Sequence, residues 1–402
     1  MSKPYLFLFL NFIFISSLSA ENWSHYRGNS LNGFSKDEVF INALNKHEPK
    51  LKWKVKIKTG YSSLVINNKY AYTMGNESDT DYVYCLNKDN GKIVWEFSYK
   101  SALNPKLYKG GPNATPTLDG DKLYTAGREG QIYCFDAKTG KVIWATDLKQ
   151  ELKLQFATWG VSSAPLIFEN KVYLNAGTNG VCLDKKTGKI IWSSGKKKTG
   201  YAAAYPFKIK GKTAIAIFNA KSLCAVDPNT GKLFWKLKWR TKYDINATIP
   251  QQIEDDKLFI SSAYGKGGGL IQFTESSAKI VWETKEFALQ FNPAIYHDGH
   301  LYGGHGNTGK KSDLRCVNAK TGEVAWSDTS IGFASVIAAG DYLIILNEKG
   351  HLFIAQLTSK ELKIISKRKV LDGQCWSTPS IANGLLYARS AEGEVVCYSL
   401  SP

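Results

Sequence analysis

The chain has 402 residues, with 52 Lys and Arg against 35 Asp and Glu, giving a net charge of +17. At 43% hydrophobic composition it can bury a large core, which excludes a disordered polymer. After the first twenty residues no stretch approaches the ~20 apolar residues of a spanning helix, which excludes a bundle of membrane helices.

Residues 1–20 read as a signal peptide. Lys3 supplies a small positive region, Tyr5 to Ile15 an apolar core broken only by Asn11, and Ser16 to Ala20 a small-residue cleavage region. The expected location is therefore periplasmic or secreted, and no Cys follows the apolar core to accept a lipid anchor. Residues 21–50 read as an N-terminal extension, with a helical period only near 36–46.

From residue 51 onward a tryptophan recurs. The cleanest phrase runs Cys134-Phe135-Asp136-Ala137-Lys138-Thr139-Gly140-Lys141-Val142-Ile143-Trp144, and others end at Trp95, Trp192, Trp235, Trp282 and Trp326. Counting from Trp53, successive intervals are 42, 49, 48, 43, 47 and 44 residues, the period of a propeller. Alternating apolar runs bounded by Asn, Asp and Gly turns predict four antiparallel strands per unit.

The units fall near 61–97, 112–147, 161–194, 201–238, 245–285, 290–329 and 332–368, the last with Ile365 in place of Trp. Residues 375–400 supply only three strands. Residues 51–57, LKWKVKI, predict the missing fourth, so the fold class is all-β: an eight-bladed propeller over 51–402, closed by an N-terminal strand. Within each phrase Thr-Gly forms the tight turn, and the Trp is expected to lie flat on the neighbouring blade.

Six of the seven cysteines fit the same frame. Cys85, Cys134, Cys182, Cys316 and Cys397 hold equivalent places and Cys224 is displaced by one. Equivalent positions in successive blades stand too far apart for a bridge, so these are expected to be small buried apolar residues.

The phrase AxDxxTGKxxW, complete at Ala225 to Trp235, resembles the tryptophan-docking motif of pyrroloquinoline-quinone-type propellers. The opening from Asn22 to Ser35 resembles the N-terminus of exported members. The resemblance implies a quinoprotein-like propeller and two kinds of activity. One is a quinone-dependent alcohol or sugar dehydrogenase that holds the quinone and calcium in the central funnel. The other is a non-enzymatic scaffold of the machinery that assembles outer-membrane β-barrels. The adjacent Cys pair of many such dehydrogenases has no counterpart here, nor has the anchoring Cys of the scaffold lipoprotein. The expected role is a binding or scaffold protein of the cell envelope with no cofactor; pyrroloquinoline quinone with calcium belongs only to the dehydrogenase alternative.

Propeller geometry places a site at the funnel mouth, where loops enter the inner strands. Trp159, Tyr201, Phe333 and Trp376 vary between equivalent positions there, as suits an asymmetric ligand, and Asp244, Asn246 and Asn292 are the polar candidates. The last three are also the plausible calcium ligands near the funnel. Gly-rich loops at 75–82, 264–269 and 303–313 are expected to carry partner-specific surface. His297 and His300 flank one turn, but His305 follows the next strand, so a shared metal is not expected. The positive charge favours envelope proteins or anionic envelope polymers as partners. No nucleic-acid motif appears, and a monomer is expected.

Overall fold

The computed structural model describes residues 20–44 and 48–399. The leader expected over residues 1–20 lies outside this set apart from Ala20.

Among the described residues, eight antiparallel sheets succeed one another along the chain. Blade 1 comprises Val65–Ile66, Tyr70–Glu77, Thr80–Asn87 and Ile93–Lys100; blades 2 to 6 follow in the same order. Blade 7 comprises Ala334–Ala339, Tyr342–Asn347, His351–Gln356 and Ile364–Lys369. Blade 8 joins Ser380–Ala382, Leu385–Arg389 and Glu394–Ser399 to an outer strand from the other end of the chain, Lys50–Lys56. Trp53 pairs with Cys397, so the ring closes as the missing strand predicts.

A cross-strand row explains the repeated residue types. Tyr72, Cys85 and Trp95 stand side by side on three neighbouring strands. The same Tyr–Cys–Trp row recurs as Tyr124, Cys134 and Trp144 in blade 2, and as Tyr173, Cys182 and Trp192 in blade 3. All seven thiols are buried and unbridged, and burial pushes Cys85 and Cys182 up to about 12, which keeps them protonated.

Each outer Trp then docks on the next blade. The Trp95 indole N–H donates to Ala137 O at 3.0 Å, Trp144 to Lys185 O at 3.0 Å and Trp192 to Pro228 O at 3.1 Å. The turn beneath must be glycine for two reasons. Gly140 has φ +73°, and a Cβ there would stand 2.6 Å from the Trp95 ring. Blade 5 departs from the pattern: its turn, Thr274-Glu275-Ser276-Ser277, has no glycine. Trp235 stacks there on Phe273, ring centres 6.0 Å apart, and its buried N–H finds no acceptor.

The N-terminal segment ahead of the closing strand packs across the ring as a plug. Trp23 exchanges backbone hydrogen bonds with Ile66 of blade 1, and Ser24 O accepts from Leu118 N–H of blade 2. Leu31 packs into the clusters of blades 3 and 4. The Arg27 guanidinium reaches Gln251 of blade 5 at 3.3 Å and the Ala294 carbonyl of blade 6. Phe34–Ser35 adds a parallel fifth strand to blade 7, and Asp37 Oδ2 accepts from Gly384 N–H of blade 8 at 3.0 Å. The plug touches all eight blades, then continues into a short helix, Glu38–Leu44, which buries Phe40 and Leu44. Burial lowers the Arg27 guanidinium to about 10, still charged at neutral pH, with carbonyl oxygens replacing its hydration shell.

Candidate functional site at the funnel mouth

The inner strands run from the mouth toward the plug, so the funnel is open at one end and sealed at the other. At the open end lies a cavity of about 800 Å³, within the ~300–1,000 Å³ of small-molecule sites. Every blade except the seventh contributes to its wall, and Tyr26 of the plug reaches it from below. The Tyr26 hydroxyl donates to Phe291 O at 3.4 Å.

Aromatic rings dominate the walls. Along one side Tyr108, Tyr61, Trp376 and Phe291 follow one another, stacked between Tyr61 and Trp376 and tilted at the other two contacts, with ring centres 5.4, 5.4 and 5.7 Å apart. Across the ring Trp159 meets Tyr201 at 5.5 Å and Tyr243 meets Tyr264 at 5.6 Å. Burial pushes Tyr201 up to about 12, so its phenol stays neutral and able to donate. Ser, Thr, Asn and Gln side chains fill the gaps between rings. Lys106 and Lys310 are the only charged residues in the lining, and neither makes an ion pair among the described residues.

The rim is strained and exposed. Leu107 is 84% exposed with φ 66°, and Tyr243 is 59% exposed. Tyr264 also takes the left-handed region, at φ 61°. Bulky residues adopt that conformation only where surroundings enforce it, and such positions cluster at functional sites.

Four of the seven expected contact residues line the cavity: Trp159, Tyr201, Asn292 and Trp376. The Trp159 N–H donates to Lys106 O at 3.3 Å, and the Trp376 N–H to Glu348 Oε2 at 3.4 Å. Asn292 spends its amide on Ala334 O at 3.3 Å.

The other three do not line it. Asn246 is fully buried: its amide donates to Asn219 O at 2.8 Å, Ala220 O and Trp239 O, and its carbonyl Oδ1 accepts from Ser262 at 2.6 Å. It clamps blades 4 and 5 together. Phe333 is buried behind Phe291, 5.3 Å between ring centres. Asp244 turns outward to Lys221 at 3.3 Å. Tyr26, Lys106, Tyr108 and Phe291 line the cavity without having been expected there; the readable signal was the aromatic content of the loops that carry them.

The lining contains no Asp, Glu or His. Calcium is held by oxygen ligands that include carboxylates, and a dehydrogenase needs a base near its substrate. With Asp244 turned away, the residues present do not fit a calcium–quinone pair. His305 stands at the far end of its strand from His300, where Nδ1 accepts from Ala288 N–H at 3.0 Å, and no cluster of metal-ligating side chains forms among the described residues. No helix among the described residues is long and apolar enough to cross a membrane.

Solved structures share this architecture. BamB from Moraxella catarrhalis superposes with a TM-score of 0.64 at 16% identity, covering 88% of this chain and all of its own. A europium-containing methanol dehydrogenase gives 0.69 at 13% identity, covering 94% and 98%. The quinohemoprotein alcohol dehydrogenase ADHIIG from Pseudomonas putida HK5 gives 0.66 at 14%, covering 94% and 80%. At these identities the likeness shows the fold alone. No curated protein sequence matches the chain. A family model described as outer membrane protein assembly factor BamB matches residues 79–328 and again 219–402. Matched over most of its length and built as the same ring, the chain belongs to this family of pyrroloquinoline-quinone-type propellers.

Proposed function

We propose that the protein is an exported propeller of the cell envelope that binds or scaffolds rather than turning over substrate, with the funnel mouth as its contact site. The observation that carries this reading is the aromatic-walled cavity, which offers surface for recognition and holds no carboxylate or imidazole to serve as a base. Export is supported by the leader-like residues 1–20 and by a family description that names an outer-membrane assembly factor. A rim carrying Leu107 and Tyr243 in the open supports contact there rather than on the plug face, whose turns repeat one structural job.

Two measurements test the proposal. Pyrroloquinoline quinone and calcium are titrated into the full chain by calorimetry, followed by dye reduction with alcohols and sugars. No turnover is expected; stoichiometric binding with dye reduction would install the dehydrogenase reading instead. A photo-crosslinking residue at Leu107 should give adducts in an envelope extract, whereas one at Lys138, in a plug-face turn, should give none. Equal labelling from both positions would remove the mouth as the contact site.

A further inference from the structure

We propose that the funnel cavity takes an acidic saccharide, a chain of pyranose rings carrying carboxylate or other anionic groups; this rests on the mouth being the contact site.

Three features of the wall converge on that chemistry. Rings stand on both sides of the cavity, and the flat C–H faces of a pyranose stack on aromatic faces as apolar ligands do. Between the rings lie uncharged hydroxyls and amides, among them Ser63, Asn113, Thr115, Ser162, Asn307 and Thr308. A flat apolar ligand would strip water from the donors and acceptors that they do not spend on the wall itself, which is costly. A polyhydroxylated one meets each with a hydroxyl of its own.

One side chain already lacks a partner. Ser163 Oγ is buried, makes no hydrogen bond, and borders the cavity. The hydroxyl itself is covered by protein atoms, so it belongs to the wall behind the cavity and the ligand meets the groups in front of it.

The charge of the ligand follows from the rest of the lining. Lys106 and Lys310 stand without ion-pair partners, and no carboxylate in the wall opposes an anion. A cationic ligand would find ring faces but no carboxylate, and would be opposed by both lysines. The wider field has the same sign, since the chain carries +17.

The test uses the full chain with two oligosaccharide probes of equal length, tetragalacturonate and neutral cellotetraose, titrated by calorimetry with tryptophan fluorescence as a second readout. Tetragalacturonate should bind one to one and about ten-fold more tightly than cellotetraose, the scale of two partly exposed ion pairs. In Lys106→Ala/Lys310→Ala that preference should vanish while the neutral probe binds as before. Trp159→Ala should weaken both probes. The assignment is overturned if neither probe binds, or if the acidic preference survives loss of both lysines. Protein adducts from Leu107 with no binding of either sugar would remove the saccharide and keep the contact site; absence of both would remove the two together.

Discussion

Tyr72 and Trp95, on different strands of blade 1, donate to the same oxygen: both the phenol and the indole N–H reach Ala137 O of blade 2 at 3.0 Å. The arrangement repeats with Tyr173 and Trp192, which share Pro228 O at 3.1 Å each. One carbonyl, exposed by the turn that the Asp side chain organises, thus takes two donors from the preceding blade. Asp136 Oδ1 holds that turn by accepting from Thr139 N–H at 2.8 Å and from its hydroxyl at 2.7 Å. Two donors per seam make the seam specific as well as apolar.

This predicts unequal costs for one substitution. Trp144→Phe removes a donor from Lys185 O and should cost about 1 kcal/mol more than lost ring area alone. Trp235→Phe removes an N–H that has no acceptor and should cost only the lost ring area. Urea unfolding of the two variants decides it; equal losses would mean that the hydrogen bond contributes nothing at the seam.

Core and contact residues should separate by stability. Asn246→Ala strips an amide from three buried carbonyls and should cost about 3 kcal/mol. Replacing Trp159 and Trp376 together with Ala should abolish binding at the mouth with a much smaller shift in thermal midpoint, because both rings are only half buried. If the double variant unfolds, those rings belong to the core.

Ring closure is testable by deletion. Removing residues up to 58 takes away both the plug and the outer strand of blade 8, leaving Glu394–Ser399 as a bare edge. Size-exclusion chromatography should show aggregates. A stable monomer would refute closure by this strand.

Two buried groups titrate against each other. Burial raises the Asp81 carboxyl from its ordinary 3.8 to about 6, and lowers the His25 imidazole from 6.5 to about 4. The ionised Asp81 is penalised in the native state, so its effect removes stability as pH rises from about 4 to about 6. The protonated His25 is penalised likewise, so its effect removes stability as pH falls from about 6.5 to about 4. Each amounts to about 3 kcal/mol, and the two oppose. Wild-type stability should be nearly flat over this window. Asp81→Asn should lose about 3 kcal/mol on acidification, measured by urea unfolding at both ends; a flat variant would show that His25 pays no burial penalty.

The ring was legible because its cause repeats. The Trp spacing marked seven of the eight blades, the unit with Ile365 was read from its strands, and the deficit of one strand at the C-terminal end led directly to Lys50–Lys56. The plug was not legible, for a physical reason. Its partners lie far away in sequence, as with Asp37 and Gly384, and it has no apolar period of its own because it meets a different blade every few residues. The mouth was legible by azimuth and not by direction. Loop residues lack the in-out alternation of a strand, so nothing in the sequence said that Asn246 turns into the wall while Trp159 faces the cavity.

The outer strand of blade 8 also has a history within each molecule. Synthesis delivers Lys50–Lys56 long before its partner Glu394–Ser399. In that interval this strand is an unpaired edge with Trp53 and Val55 on one side, a template for association with other chains. Its sequence carries the remedy. Lys50, Lys52, Lys54 and Lys56 occupy every second position, so any neighbour that pairs in register with another copy meets a row of like charges. The lysines that leave the finished blade exposed on its outer face are the ones that keep the waiting strand to itself.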